Sequence, residues 1–202
     1  MNNRLHKLCL IGGASGTGKS TLLDKLIKSI FIKTFFKKSP RLEFVDTDIT
    51  RESVKSRYHD EFDSWILCQP ATLLNNEDFV KQSELVFTRV YEKMPRRICK
   101  NDGTIVAGVN VIPGIFEEQR FEGLLDVKQA LLVISDFDEH FTRYYRRNVK
   151  VHGSTDYDET ERVTYKIRKQ QDFLITRALR HNVPIIESDR KAPRKILDFI
   201  NL

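Results

Sequence analysis

The chain of 202 residues is poor in the features that staple, anchor or repeat a protein. Its 3 cysteines, Cys9, Cys68 and Cys99, stand far apart, with no CxxC or Cys/His spacing. That pattern offers neither a disulfide framework nor a thiolate metal site, and it reads as reduced thiols in a cytoplasmic protein. No apolar run approaches the ~20 residues of a membrane span. The first residues pass straight into an apolar strand, so no signal peptide is expected. Repeats, low-complexity tracts and linkers are missing, and the length suits one α/β domain over 1–202. Also missing are an Asp-x-x-Gly switch element and an Asn/Thr-Lys-x-Asp guanine-reading motif. What is abundant is positive charge: 34 Lys and Arg against 28 Asp and Glu, net +6. The basic residues are spread rather than interleaved with aromatics. That fits a site for anionic ligands and makes nucleic acid a less favoured partner.

One stretch organises the rest. Leu8-Cys9-Leu10-Ile11 is a short buried strand, and it feeds Gly13-Ala14-Ser15-Gly16-Thr17-Gly18-Lys19-Ser20-Thr21. This is G-x-x-x-x-G-K-[ST], the phosphate-binding P-loop, between a strand and a helix as the motif requires. The glycines let backbone N–H groups approach phosphate oxygens, and the helix opening at Lys19 aims its positive dipole end at the same anion. Lys19 reaches the outer phosphates and the Ser20 hydroxyl is a ligand for Mg²⁺. ATP and Mg²⁺ are the expected cofactors.

Two further clusters follow. Asp46-Thr47-Asp48 ends the second strand, Arg41–Val45, and in open parallel sheets ligands sit outside the carboxyl ends of strands. Phosphoryl transfer needs an anchor on the metal side and an acid beside the acceptor hydroxyl. Asp46 suits the first duty and Asp48 the second, although the same acids are also a helix N-cap. Arg51, one turn beyond Asp48, suits an anionic group on the acceptor. After the fourth strand, Lys128–Ser135, comes an arginine-rich helix in which Arg143, Arg146 and Arg147 share a face. Such a segment can fold over bound phosphates as a lid, about 136–160, and screen the charge of transfer. His140, beside Phe141 and two acids, reads as a structural hydrogen-bonding group.

The remaining punctuation predicts helices over Lys19–Phe31, Ile49–His59, Glu77–Met94 (ended by Pro95), Ile115–Leu124, Asp158–Arg180 and Pro193–Asn201. Further strands are expected at Thr104–Ala107 and Val183–Glu187, a break at Ser39–Pro40 after Lys33, Lys37 and Lys38, and a loop at Val151–Tyr157. Five strands alternating with helices predict an α/β P-loop NTPase: a five-stranded parallel sheet, helices on both faces and a helical lid, in an adenylate-kinase-like arrangement.

The combination resembles the 2-phosphoglycerate kinase family over nearly the whole length. Ile11–Thr21 is similar to that family's opening, and Thr47-Asp48-Ile-Thr-Arg51-Glu52 to its Thr-Asp-x-x-Arg-Glu segment. Gly108-Val-Asn-Val-Ile-Pro113-Gly114 resembles its Gly-Val-His-Leu-Val-Pro-Gly stretch. Ser135-Asp136 through His140 and Arg143 resembles the start of its lid. Ile167-Arg168-Lys-Gln170-Gln171-Asp172-Phe-Leu174 resembles a late helix. The resemblance also implies a place on the substrate side for Gln82, and it implies transfer of the γ-phosphate of ATP to the hydroxyl of a small anionic metabolite. Three features depart from the pattern, one being that the family's acceptor-side serine/tyrosine segment is not evident in Cys68-Gln-Pro-Ala-Thr72. Ala107 stands where the family has Glu, and Asn110 where it has His. Asp46, in an Asp-x-Asp arrangement like that of shikimate-type kinases, can take over the metal-side duty. Two other readings stay open: a nucleoside or polynucleotide hydroxyl kinase, and a nucleotide-binding module with weak ATPase activity.

Overall fold

A strand segment buried on both faces is apolar throughout, and Leu8-Cys9-Leu10-Ile11 of the first strand obeys this. In the computed structural model, which describes residues 5–34, 41–55, 57, 61–116, 118–121 and 123–200, β1 (His6–Gly13) turns Leu8 and Leu10 to one side and Cys9 and Ile11 to the other. It pairs in parallel with β3 (Gly103–Ala107) and β4 (Leu125–Val133). Outside these lie β2 (Leu42–Asp46) against β3 and β5 (Ile185–Glu187) against β4, both parallel, giving the order β2-β3-β1-β4-β5. The five expected strands are all present, with ends displaced by a few residues.

Helices α1 (Lys19–Thr34) and α7 (Ala192–Ile200) cover one face, where Leu22, Leu26, Ala192 and Ile196 pack on Cys9, Ile11, Ile105 and Leu132. Leu22 and Leu26 are buried on this side of α1, whereas Ile27 is exposed. The other face is covered by α4 (Asn76–Lys100) and α6 (Tyr157–Arg180) through Phe79, Phe87, Val90, Ile167 and Leu174. Between β2 and α4 the chain forms α2 (Thr47–Lys55), α3 (Glu61–Cys68) and a 3₁₀ turn at Ala71–Leu73. Helix α5 (Phe137–His152) follows β4. Among the described residues no helix is long and apolar enough to cross a membrane. Lys37, Lys38, the Ser39–Pro40 break and the expected end of α2 at His59 lie outside the described residues.

Three local expectations are corrected. Helix α4 does not stop at Pro95 but runs to Lys100. An interior proline removes one backbone hydrogen bond and costs about 3 kcal/mol. Tertiary contacts offset this: Met94 is fully buried, and the buried Arg97 places Nε 3.0 Å from Glu43 Oε1 on β2. Asn101, the C-cap, donates to the other Glu43 oxygen at 3.0 Å. Val151 and His152 belong to α5, not to a loop, because Gly153 adopts the left-handed C-cap position (φ 78°) and its N–H closes on Val149 at 2.8 Å. The helix expected at Ile115–Leu124 reduces to a 3₁₀ turn at Glu118–Phe121. There the Ile115 carbonyl accepts from the Tyr91 hydroxyl at 2.9 Å, and Phe116 packs between Tyr91 and Phe121, so aromatic packing on α4 replaces helical bonding.

The ion pair at the end of α4 gives an asymmetric stability test. Glu43→Ala strands the Arg97 guanidinium below the surface and is expected to cost about 2 kcal/mol in urea unfolding. Arg97→Met, which leaves the partly exposed Glu43 with Asn101, is expected to cost less.

Candidate functional site

The loop after β1 is built by bonding its carbonyls from behind. Lys19 Nζ donates to the carbonyls of Gly13 and Ala14, both at 2.7 Å, and the buried Thr17 hydroxyl donates to Ala14 at 2.9 Å. The Ser15 carbonyl accepts from His140 Nε2 at 2.7 Å, and the Thr17 carbonyl from the Ser188 hydroxyl at 2.6 Å. A trans peptide points its N–H opposite to its C=O, so these bonds turn loop amides outward. Gly16 is in the left-handed region (φ 81°), and an added Cβ would lie 3.1 Å from the His140 ring. Both conformation and space therefore demand glycine there. His140 is fully buried, and its ring carries the proton on Nε2 because a carbonyl accepts from it. Burial, reinforced by Arg168, Lys19 and Arg143, lowers its pKa, while the bond to Ser15 opposes the shift. This is the structural hydrogen bond expected of it.

Asp46 ends β2 in register with Ala107 of β3, and on the same sheet face as Phe44 and Ile105. Its Oδ1 accepts from the Asp48 N–H at 2.7 Å, so Asp46 caps α2. The strand ends come close because Gly108 (φ 151°) leaves no room for a Cβ, which would fall 1.8 Å from Thr47 Oγ1. Burial pushes the Lys19 ammonium down to about 8; Asp48, then Asp46, oppose the shift and Arg147 adds to it. All four charges thus share one electrostatic neighbourhood.

Helix α5 lies across the loop. Asp136 caps it, and α6 fixes its start: Arg168 Nη2 donates to the Ser135 carbonyl at 2.9 Å, and Gln171 brackets Ile134 through both its N–H and its C=O, each at 3.0 Å. Arg143 donates to the Ser188 hydroxyl (3.0 Å) and carbonyl (2.6 Å) and also pairs with Glu139. Arg147 reaches Ser15 Oγ at 3.4 Å.

Between α5, the loop and α2 lies a cleft of about 870 Å³ at the carboxyl edge of the sheet. It gathers Ser15, Gly16 and Gly18–Thr21 of the loop with Asp48, Arg51, Arg143, Arg146 and Arg147. Asp48 and Asp189 are the carboxylates among its described lining residues. Gly13, Ala14 and Thr17 are buried and are not among its described lining residues, nor is Asp46, which bonds the Asp48 N–H. Gln82 is a correction. Expected on the substrate side, it is fully buried on α4 with its amide spent on the carbonyls of Ile66 (2.7 Å) and Gln69 (2.9 Å). The sequence reading also missed lining residues. Ser188–Arg190 follow β5 directly, so the strand-end rule was a usable signal for them, and Lys150 continues the arginine spacing of α5. Pro70–Thr72 and Lys25 carry no motif.

Comparison with known proteins agrees with this architecture. No family model matches the chain. The chain is 24% identical over 184 residues to a 2-phosphoglycerate kinase of Methanopyrus kandleri, covering 90% of this chain and 56% of that protein. It is 25% identical over 183 residues to a 2-phosphoglycerate kinase of Methanocaldococcus jannaschii, covering 89% and 57%. The chain thus spans just over half the length of these relatives. Among solved structures it is similar to shikimate kinase from Bacteroides thetaiotaomicron (TM-score 0.54, 16% identity, 97% of this chain and 98% of that one). It is also similar to a gluconokinase from Sinorhizobium meliloti 1021 (TM-score 0.55, 12% identity, 98% and 93%). The fold is that of the P-loop NTPases of adenylate-kinase-like type.

Anion binding by the loop should depend on pH through Lys19. Its charged form is depleted as pH rises through about 8, and a bound polyphosphate raises that pKa, so affinity is lost with increasing pH. Titration of inorganic tripolyphosphate by calorimetry is expected to show affinity nearly level below about pH 7 and falling up to tenfold per unit above about pH 8. Lys19→Ala should bind weakly and lose this dependence.

Proposed function

We propose that this chain is an ATP- and Mg²⁺-dependent kinase that moves the γ-phosphate of ATP to a hydroxyl of a small anionic metabolite, in the manner of a 2-phosphoglycerate kinase. The observation that carries the reading is the single cleft in which Lys19 and the loop amides face Asp48, Arg51 and the arginines of α5. The loop amides and Lys19 hold the β- and γ-phosphates. Asp48 accepts the proton of the acceptor hydroxyl as its oxygen bonds to γ-phosphorus, while the bond from γ-phosphorus to the β–γ bridging oxygen breaks and ADP leaves. Arg51 holds the acceptor's anionic group.

For Mg²⁺ the available donors are oxygens of the right kind. The Ser20 hydroxyl is exposed on the first turn of α1, and the Asp46 carboxylate is close enough to Lys19 to oppose its loss of charge. Magnesium takes one or two protein oxygens and otherwise waters and phosphate oxygens, which this pair suits. When bound it supplies neutralisation of the phosphate charge. Arg143, Arg146 and Arg147, on a lid formed by about 136–160, cover the transferring group, and the turn at Gly153–Asp156 is the tip of that lid.

The direct test is transfer of labelled γ-phosphate to a panel of hydroxy acids (2-phosphoglycerate included), sugars, nucleosides and oligonucleotides. Labelling of a phosphorylated hydroxy acid is expected. Labelling of oligonucleotide ends, or ATP hydrolysis with no acceptor labelled, would overturn the proposal. Lys19→Ala and Asp48→Asn are each expected to lower transfer by about 10²-fold or more, with Asp48→Asn still binding ATP. Substantial transfer by Asp48→Asn would remove it as the base.

A further inference from the structure

A chain of buried amides runs beneath the acceptor side of the cleft. Asn110, in the turn after β3, is fully buried, and its Nδ2 donates to Gln82 Oε1 at 3.0 Å. Gln82 Nε2 donates in turn to the carbonyls of Ile66 and Gln69, at 2.7 and 2.9 Å. These two carbonyls belong to the last turn of α3 and the residue just beyond it, and that of Ile66 also accepts from the Gln69 N–H at 3.2 Å. The Gln69 carbonyl has a second donor, Arg51 Nη1 at 3.1 Å. Both lone pairs of one carbonyl oxygen are thus used, one by the relay and one by an arginine on the cleft wall.

The direction of this chain is fixed. Facing two carbonyls, the Gln82 side chain must present its N–H₂ group to them, which leaves Oε1 for a donor, and Asn110 supplies it. Asn110 Nδ2 also reaches the Ser83 hydroxyl at 3.4 Å, and that hydroxyl donates to the Phe79 carbonyl at 2.9 Å, so it is free to accept. At the other end Asn110 is tied to the nucleotide side. The Gly108 N–H bonds the Ile11 carbonyl of β1 at 3.2 Å, and the Val111 carbonyl approaches Gly12 so closely that a Cβ there would lie 2.1 Å away. The strand that ends in the phosphate loop and the arginine across the cleft are therefore joined through Asn110, Gln82 and Gln69. Pro70, Ala71 and Thr72, which line the cleft, follow Gln69 directly.

We propose that Gln82 and Asn110 are positioning residues for the acceptor half of the site: together they set the Gln69 carbonyl, and through it the Arg51 guanidinium and the Pro70–Thr72 wall, relative to the phosphate loop. The relay touches neither nucleotide nor acceptor and acts through Arg51, whose role as acceptor anchor is that of the proposed function. Among the described residues Arg51 otherwise makes one loose contact, 3.6 Å to Glu52, and its Nε is buried without a hydrogen-bond partner, so the Gln69 carbonyl is the bond that orients it there.

The test uses the full chain with Gln82→Leu, Asn110→Leu, the isosteric Gln82→Glu and Arg51→Ala, alone and with Arg51→Ala combined with each of the others. Calorimetry would measure a non-hydrolysable ATP analogue first, then 2-phosphoglycerate added to that complex with Mg²⁺. The Gln82 and Asn110 variants are expected to weaken 2-phosphoglycerate about tenfold in the parent background and to have no effect once Arg51 is alanine. The ATP analogue should change by less than about twofold. Additive losses in the Arg51→Ala background, or nucleotide affinity falling in parallel, would overturn the relay as a merely structural support. Gln82→Glu keeps the shape and removes the N–H donors, so it decides the matter if the leucine variants do not fold. If the parent chain does not bind 2-phosphoglycerate, the acceptor reading fails by itself. The relay is then judged by amide hydrogen exchange over residues 66–74, which should accelerate in Gln82→Glu and Asn110→Leu; unchanged protection would overturn it.

Discussion

The site depends on one constraint: the carbonyls of the phosphate loop are held from behind. Lys19 takes those of Gly13 and Ala14, His140 that of Ser15, Ser188 that of Thr17, and the Leu22 N–H that of Gly18 at 2.8 Å. A glycine-rich segment has the largest conformational entropy to lose on ordering, so sequence alone does not hold it in an anion-binding shape. The restraints come from three directions, namely the first turn of α1, the lid helix α5 and the segment after β5. The loop's geometry is therefore a property of the assembled sheet rather than of the motif. His140 and Arg143 matter in the same way, since both tie α5 to the loop, one directly and one through Ser188.

The electrostatics follow from that arrangement. Enclosing Lys19 beside Arg147 lowers its affinity for a proton despite the pull of Asp48 and Asp46. A positively lined cleft destabilises its own charges until an anion enters, and in a partly enclosed site the relief is larger than in open water. The excess of basic residues in the composition thus has a local use. Part of it lines the cleft, as Lys19 of the loop with Arg143, Arg146, Arg147 and Lys150 of α5.

Much of this was legible in the sequence because the signals are local. Strand alternation, the P-loop spacing and the i, i+3/i+4 arginines each act within a few residues, and the sheet, loop and α5 face follow from them. What was not legible depends on partners distant in sequence. Pro95 reads as a stop, but Glu43, more than fifty residues earlier, holds the last turns of α4 in place. Gln82 has a place on the substrate side only through the family resemblance. Only the folded chain brings the α3 carbonyls over its amide. Ser188 has no motif of its own and gains its role by standing at the carboxyl end of β5 beside Thr17. A polar residue such as Gln82 takes its place from partners that no local pattern shows, whereas the burial of Leu8-Cys9-Leu10-Ile11 follows from a local apolar run.

The replacement at Ala107 also makes sense in terms of the sheet. Ala107 and Asp46 are register partners on neighbouring strands, so their side chains rise on the same face about 4.8 Å apart along the hydrogen-bonding direction. In the proposed reading, an acid lost from the end of β3 is supplied from β2 one strand spacing away, within the reach of a water-mediated contact. The same shift has a cost on the acceptor side. Asp46 then serves two ends at once, accepting from the Asp48 N–H while facing the phosphates, so the position of Asp48 is coupled to the metal side through a single carboxylate. In the same proposed reading, with Asn110 and Gln82 coupling Arg51 to β3, both acceptor-side groups are set from the nucleotide side of the sheet. Geometry at the acceptor therefore follows geometry at the donor, as an in-line transfer between two bound substrates requires.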